Sequence, residues 1–426
     1  MFQRFSIPAL RLVAAWLATS GTALAADRYG DGFYTRGVEA AMYMDQGDAV
    51  LDPFYVPAKK WAFLPRTTLT LTHEDNLFLD PDEPREGTTV RLAPGLLAIW
   101  GRPADNHVYA DYGLSIPVHQ SEQELDDRPS HLLRLGVVYR TGKSQANLQG
   151  GFRHMEDVDA ELGARVAKRD LFADLSVEHR VSGKSSLGAL ARAERHDFDA
   201  EEYSDYDRYY GALRCYRRAS AKSQVFVQGG FGRDEPRSDG GEANAADFFD
   251  LSLGLRGKQS PRFHLGGRAG VMWRQYDAAD RPDSEHWIAA LNAESTPFGL
   301  TTFTAELQAD VRPAVDAAGV DAVDREVIFG ASRRLFMERL RGTVSVTFGQ
   351  VEYIGGGTTV AADEPVEVTD GQTDDYWGFT AGLDFWTRWN CSLGAAYSYM
   401  ERTRGSAEDD GSYDYGRWTL RASWNY

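Results

Sequence analysis

The chain has 426 residues, a formal net charge of −17, 12% aromatic residues and 42 glycines. An acid excess of that size argues against nucleic acid as a partner. No stretch resembles the ~20 apolar residues of a membrane-spanning helix. The two cysteines, Cys215 and Cys391, match no metal or redox spacing, so neither a metal nor a cofactor is expected.

Taken in chain order, the first element is a secretory signal peptide. Arg4 and Arg11 make a basic start, residues 12–17 are apolar, and Ala23-Leu24-Ala25 is a small-x-small triplet, which places cleavage after Ala25. The apolar run is too short to anchor in ~30 Å of hydrocarbon. With no cysteine near the site, a lipoprotein is excluded. Residues 26–64 come next and show no regular period. They hold Tyr29, Phe33, Tyr34, Tyr43, Phe54, Tyr55, Trp61 and Phe63 among Gly, Asp and Pro. They read as a periplasmic N-terminal extension that caps or enters the structure that follows, or else as a disordered leader.

From near Thr67 a period of two takes over. Val108, Ala110, Tyr112, Leu114, Ile116 and Val118 form one face of a strand, and His107, Tyr109, Asp111, Gly113 and Ser115 form the other. The same alternation runs through Phe249-Leu251-Leu253-Leu255, Phe303-Ala305-Leu307-Ala309-Val311 and Trp377-Phe379-Ala381-Leu383-Phe385. Connections alternate in length. Short turns such as Thr141-Gly142-Lys143-Ser144 and Ser182-Gly183-Lys184 are followed by longer, acidic loops near 122–127, 158–168, 197–207, 363–375 and 408–410. About eighteen such segments fit between 67 and 426, with sixteen as the alternative. Among them are 224–233, 301–311, 325–334, 376–387, 391–401 and 415–426.

One face of each segment carries Leu, Val, Phe and Ala, with Tyr and Trp near the ends. The other carries Gly, Ser, Thr, Gln, Arg and Glu. A soluble sandwich would need large apolar residues inside. The observed pattern suits lipid outside and water inside, so the expected fold is an all-β, up-and-down antiparallel barrel spanning the bacterial outer membrane over residues 65–426. Trp418, Leu420, Ala422, Trp424 and Tyr426 alternate to the last residue, and Trp418, Leu420, Trp424 and Tyr426 are the expected assembly signal. The expected partners are therefore outer-membrane lipid, lipopolysaccharide and the barrel-assembly machinery. Cys215 and Cys391 both fall on apolar faces, as free thiols or one disulfide.

The stretch Thr70-Leu71-Thr72-His73-Glu74-Asp75-Asn76-Leu77-Phe78, followed by Thr88-Thr89-Val90-Arg91-Leu92-Ala93-Pro94-Gly95-Leu96, resembles the first hairpin of the β-barrel porins found with bacterial exopolysaccharide and capsule genes. That family carries an Asp-Asn-x-Phe element and then a Thr-rich strand entering a Pro-Gly pair. The resemblance covers about 30 residues of sequence. It implies an outer-membrane conduit for polysaccharide working with a periplasmic polysaccharide-export protein, and it implies no catalytic residue.

The polar parity gives the candidate lumen. Its basic members are Arg91, Arg134, Arg153, Arg192, Arg208, Arg214, Arg256, Arg268, Arg274, Arg341, Arg417 and Arg421. Its acidic members include Asp174, Glu178, Glu194, Asp250 and Asp384, with Glu294, Glu306, Asp310 and Glu326 grouped between 286 and 334. A cationic wall facing an anionic one would order water across a pore. Alternatively, these residues are ion pairs that stiffen the wall. Arg256, Arg268 and Arg274 read as a cationic track for an anionic polymer, Tyr109, Tyr210 and Tyr216 as surfaces on which sugars stack, and Ser252 as a luminal position that meets water. The nine histidines form no Ser-His or Asp-His spacing that points to catalysis, so no enzyme is expected. Three functions remain: export of an anionic exopolysaccharide, uptake of small solutes through a pore narrowed by an inward loop at 355–375, or a non-conducting structural or adhesive barrel filled by 26–64.

Overall fold

The computed structural model describes residues 61–77, 84–102, 106–120, 128–159, 164–200, 203–237, 245–278, 281–314, 320–335, 339–355, 357–361, 364–368, 371–387, 391–405 and 412–425. The signal peptide, nearly all of the N-terminal extension and Tyr426 lie outside them. The strands are β1 (Trp61–Glu74), β2 (Gly87–Gly101), β3 (His107–His119), β4 (Ser130–Arg140), β5 (Ser144–Asp159), β6 (Ala164–Arg180), β7 (Ser185–Phe198), β8 (Asp205–Arg218), β9 (Ser223–Arg237) and β10 (Ala246–Ser260). They continue as β11 (Phe263–Tyr276), β12 (Ser284–Ser295), β13 (Thr301–Pro313), β14 (Asp321–Leu335), β15 (Leu340–Ile354), the small hairpin β16 (Gly357–Ala361) and β17 (Glu364–Val368), then β18 (Thr373–Trp386), β19 (Cys391–Arg404) and β20 (Tyr413–Asn425).

Eighteen of these form one antiparallel sheet in which each strand pairs with its chain neighbours, β15 passing over the small hairpin to β18. The sheet closes because β1 also pairs with β20, in register from Glu74↔Arg417 to Arg66↔Asn425. Closure leaves no strand edge to hydrocarbon, which cannot hydrogen-bond it. β1 begins earlier than the apolar rhythm suggests. Residues 61–64, read from sequence as the end of the extension, pair with 97–100.

The alternation of the sequence becomes the two faces of the wall. Leu69, Leu71, Tyr112, Leu213, Leu251, Leu253, Phe329, Phe348 and Leu420 are exposed on the outside. Their sequence neighbours Asp111, Arg214, Asp250, Ser252 and Thr419 are buried on the inside. Trp61, Phe63 and Trp100 stand near the turn end, while Trp273, Trp287 and Trp377 stand near the loop end. Such girdles place indoles at the two lipid–water boundaries. Cys215 and Cys391 are free, on β8 and β19.

At one place the wall departs from a simple cylinder. β12 and β13 pair only from Ala289↔Ala309 to Ser295↔Phe303, whereas β11–β12 and β13–β14 stay paired to their loop ends. Above Ala309 the tips of β13 and β14 therefore part from β12. They do not splay outward. Val311 and Val323 have the parity of the lipid face, yet they are 0% and 1% exposed and pack on Phe248, Met272 and Ile288 of the inner face of β10–β12. The opposite side of the same tip, Ala322 with Ala314 and Val320, packs on Val351, Tyr353 and Tyr376 of the inner face of β15 and β18. The sheet is thus rolled like a scroll at its loop end, with the β13–β14 tip inside. Val311, expected on the lipid face, is corrected to this interior layer. Burying each such side chain contributes about 1.5–3 kcal/mol, enough to offset the cost of leaving the ladder only if the freed backbone groups find partners. Val311 shows how they do: its N–H donates to Asp310 Oδ1 at 2.9 Å, and its carbonyl accepts from Arg208 Nη2 at 2.6 Å.

Two outcomes test this architecture. Leu253 is 68% exposed. Replacing it with Arg should destabilise the inserted barrel by about 2–4 kcal/mol if it lies near the bilayer midplane, whereas Arg at the inward, exposed Asn292 should cost far less. Ser252, expected to meet water, is corrected to a buried position at 1% exposed. Equal urea midpoints for the two variants would invert the assigned faces. Deleting 424–426 removes the pairings Thr67↔Trp424 and Arg66↔Asn425, and should block membrane insertion. Normal yields of heat-modifiable protein from that deletion would show that closure does not need this end of β20.

Candidate functional site

The inner surface is built by side chains that reach across strands. Arg66 of β1 crosses β2 to meet Asp111 of β3 at 2.6 Å, and Arg134 of β4 meets the same carboxylate at 2.8 Å. Gly95 makes the crossing possible, because a Cβ there would lie 2.9 Å from Arg66 Nε. Its neighbour Pro94, which has no N–H, falls where the β2–β3 pairing lapses between Leu92↔Ile116 and Gly95↔Gly113 without a change of register. The Pro-Gly pair of the sequence thus opens a channel for a guanidinium.

Around the wall the pattern repeats. Asp170 accepts from Arg153 Nε at 2.6 Å and pairs with His196 Nδ1 at 2.9 Å. Asp174 accepts from Arg192 at 2.7 Å. Gln228 and Asp250 sit at the centre of a buried cluster. Arg214 donates to Gln228 at 2.5 Å, Gln228 and Tyr210 donate to Asp250 at 3.1 and 2.7 Å, and Arg268 lies 3.8 Å from Asp250. Arg256 stacks on Tyr216 at 4.0 Å and reaches Glu178 of β6 at 2.6 Å. At the barrel seam Glu74 receives Arg417 at 2.6 Å and the Tyr415 hydroxyl at 2.5 Å. Arg421 meets Asp384 at 2.6 Å.

The densest group clasps the scroll. Asp234 of β9 binds Arg208 at 3.0 Å and Arg274 at 2.8 Å. Arg274, 1% exposed, also bridges to Asp321 at the tip of β14 at 3.1 Å. Asp321 further accepts from Arg281 at 3.0 Å and from Tyr276. Arg281 stacks on Tyr276 at 3.7 Å and donates to the Ile354 carbonyl at 3.0 Å, which ties the β11–β12 loop to the end of β15. Buried charges survive only when paired and hydrogen-bonded this fully.

Measured against the expected lumen, the residues fall into groups. Arg134, Arg153, Arg192, Arg208, Arg256, Arg274, Arg417 and Arg421 each hold a carboxylate at 3.1 Å or closer. Arg214 holds Gln228, Arg268 lies near Asp250, and Arg341 donates to Ser332 at 2.9 Å. Arg91 has inward parity and is half-buried. Of the acids, Asp310 caps the backbone of Val311, Glu326 is buried, Glu306 is half-buried and Glu294 is exposed. The expected track of Arg256, Arg268 and Arg274 is therefore not a row of bare cations. Arg256 and Arg268 do sit near one level, with Arg256↔Gly266 two pairs from Gly254↔Arg268, but all three have acidic neighbours. Of the three tyrosines, Tyr210 is engaged with Asp250, Tyr216 under Arg256 and Tyr109 with Gln149.

Sequence reading missed Arg66, Asp170, Asp234, Asp321, Asp374 and Arg402, the last two a buried ion pair. Asp234, Asp321, Asp374 and Arg402 lie just past the loop-side ends assigned to their strands. Arg66 lies just before the expected first segment. Two histidine pairs also appear, Ser144–His179 at 2.8 Å and His196–Asp170, at opposite ends of β6.

No family model matches the chain, and no curated protein matches it. Among solved structures it is similar to the outer membrane protein OpdK of Pseudomonas aeruginosa, with 15% identity over 86% of this chain and 99% of that one, at a TM-score of 0.45. It is similar also to OccAB4 of Acinetobacter baumannii, with 13% identity, 85% and 98% coverage and a TM-score of 0.45. A bacterial polysaccharide outer membrane secretin aligns with 11% identity over 85% and 98%, at a TM-score of 0.37.

Asp321 offers a direct test of the clasp. Asp321→Asn keeps the shape and removes the charge shared by Arg274 and Arg281. Breaking a buried pair from one side costs about 3–5 kcal/mol, so amide exchange at 310–314 and 320–325 should quicken by about two orders of magnitude or more. β4 to β7 should exchange as in the parent. Unchanged protection of the tip would mean that apolar packing alone holds it.

Proposed function

We propose that this protein is a channel of the bacterial outer membrane and that its cargo is an anionic exopolysaccharide moving outward. The observation that carries the channel reading is the inversion of faces: a belt of exposed Leu, Val, Phe and Trp outside a wall whose inner surface is lined by charged and amide side chains. Such a wall wets its interior, and short turns on the side where β1 starts and β20 ends support a periplasmic orientation for that side. Arginine supports a polyanionic cargo, because its charge persists in a narrow space and its planar fork suits carboxylates and phosphates. Pairing tempers it. Arginines already holding carboxylates offer a passing polymer weak, exchangeable contacts rather than a trap. The exopolysaccharide assignment itself draws on the first-hairpin resemblance, and it carries with it a periplasmic polysaccharide-export protein as partner.

Small-solute uptake is the second reading, favoured by the inward β13–β14 tip. The expected narrowing element was the segment 355–375, whose described backbone contains the β16–β17 hairpin. The tip around Val311 and Val323 lies within the lumen.

The two readings separate in cells that make an acidic exopolysaccharide. Removing the protein should leave polymer in the periplasm, and restoring it should return polymer to the surface. Full export in its absence, together with slowed entry of small organic anions, would replace export by uptake. Absence of single-channel conductance in planar bilayers would remove both.

A further inference from the structure

At the turn end the inner wall carries a row of cations. β4, β6, β8 and β10 run toward the turns, and each ends its inward-facing row on a cation: Arg140, Arg180, Arg218 and Lys258. Their cross-strand partners are Gln145, Ser186, Gln224 and His264, none of them a carboxylate. Arg180 and Arg218 are exposed and Lys258 is half-buried. Among the described residues none of these three holds an Asp or Glu.

The turns beside them repeat one device. Thr141-Gly142-Lys143-Ser144, Ser182-Gly183-Lys184-Ser185 and Ser220-Ala221-Lys222-Ser223 join β4–β5, β6–β7 and β8–β9. In each, the first hydroxyl accepts the backbone N–H of the lysine, at 3.3, 3.2 and 3.1 Å. It also accepts the N–H of the following serine, at 2.9, 3.1 and 3.1 Å. The hydroxyl is spent on the turn and the lysine side chain is left to solvent. Successive hairpins are two strands apart, so the lysines recur roughly every 10 Å along the rim. Of the seven lysines in the chain, four lie in this arc. The three turns that carry Lys143, Lys184 and Lys222 contain no Asp or Glu.

We propose that this arc is a capture site for a polyanion at the turn-side mouth, taking a flexible chain of repeated carboxylates or sulfates such as an acidic polysaccharide. The proposal rests on the channel reading and adds where the cargo is first held. A single exposed cation holds a lone anion weakly. Several cations spaced along an arc favour a ligand that carries several charges. Arg180, Arg218 and Lys258 have luminal parity, which points the site at the pore entrance rather than at lipid headgroups. Deeper in the barrel the arginines are paired, so bare positive charge is concentrated where a polymer would enter.

Dextran sulfate is the probe, with neutral dextran of the same length as control, added in turn to each side of a planar bilayer holding the full barrel. Dextran sulfate should block the current from one side only, at concentrations about tenfold or more below neutral dextran, and less well at high salt. R180Q/R218Q/K258Q and K143Q/K184Q/K222Q should each raise the blocking concentration several-fold while leaving the open conductance within the wild-type range. The glutamine changes leave the turn hydroxyls and strand ladders intact. Equal block by neutral dextran, equal block from both sides, or wild-type block of both variants would overturn the site. So would variants that keep the block but lose affinity for vesicles rich in phosphatidylglycerol, because the arc would then be a headgroup contact. If the wild type carries no current, the channel reading fails by itself. Dextran sulfate binding to the detergent-solubilised barrel, lost in both variants, would still uphold the arc, and equal binding by variants and wild type would overturn it.

Discussion

Every structural feature of this barrel answers to one constraint: a backbone polar group at membrane depth must find its partner within the protein. The ladder between β1 and β20 meets it for the wall as a whole. The same constraint explains the scroll. Where β12 and β13 part, two edges are freed, and an edge left toward lipid would forfeit hydrogen bonds worth ~1–3 kcal/mol for each orphaned group. Turning the β13–β14 tip inward brings its edge to polar side chains, and Asp310 and Arg208 take over at Val311. Its two faces become apolar layers against the opposing walls. The departure from a cylinder is thus a second solution to the same problem, one available only because the lumen is polar enough to supply Arg208.

Charge follows from that geometry. Where the tip packs against the wall, Asp234, Arg274 and Asp321 are buried, so the charges there must be paired. Asp234 and Asp321 are shared between arginines from β8, β11 and the β11–β12 loop for this reason. A shared carboxylate costs less conformational freedom per contact than separate pairs, since each arginine orders a group that is already fixed. The inner arginines therefore act first as struts, with Asp174, Asp234 and Asp250 standing among them on the arginine-rich side. The acids expected to make the second wall are dispersed in role: Asp310 on backbone, Glu326 buried and Glu294 open to the lumen.

The fold was legible in the sequence because lipid and water impose opposite demands on alternate residues. Leu253 and Asp250 could be placed on their faces without knowing any contact, and eighteen strands follow from counting alternations. The ends of strands were not legible in the same way. Apolar alternation stops where the bilayer stops, but the hydrogen-bond ladder of β9 runs on through Asp234 to Arg237, and that of β14 starts at Asp321. Beyond the lipid nothing forces period two, so those residues look like loop. The clasp is made of just such residues, which is why the sequence yields Arg208 and Arg274 and not the carboxylates that hold them. Val311 shows the deeper limit. Its residue type and parity are correct for lipid, and only the missing β12 partner, a property of the register, moves it inside.

The two ends of the barrel now differ in a way that bears on direction. At the turn end the connections β4–β5, β6–β7 and β8–β9 carry Lys143, Lys184 and Lys222 and no carboxylate. With a net charge of −17, the acid excess lies elsewhere, and the sequence puts much of it in the long loops. Between the ends most of the arginines are paired. A polyanion would meet attraction at the turn-side mouth, near-neutral contacts within, and repulsion at the loop side. A fixed field of this kind does no net work over a full passage, so it cannot drive transport. What it does is raise the local concentration of cargo where cargo enters and deny it a binding site where it must leave. A deep well inside the pore would hold the polymer, and the pairing of the inner arginines removes that well. The same pairs that satisfy buried charge at Asp234 and Asp321 thereby leave the interior without a strong site for a single sign of charge.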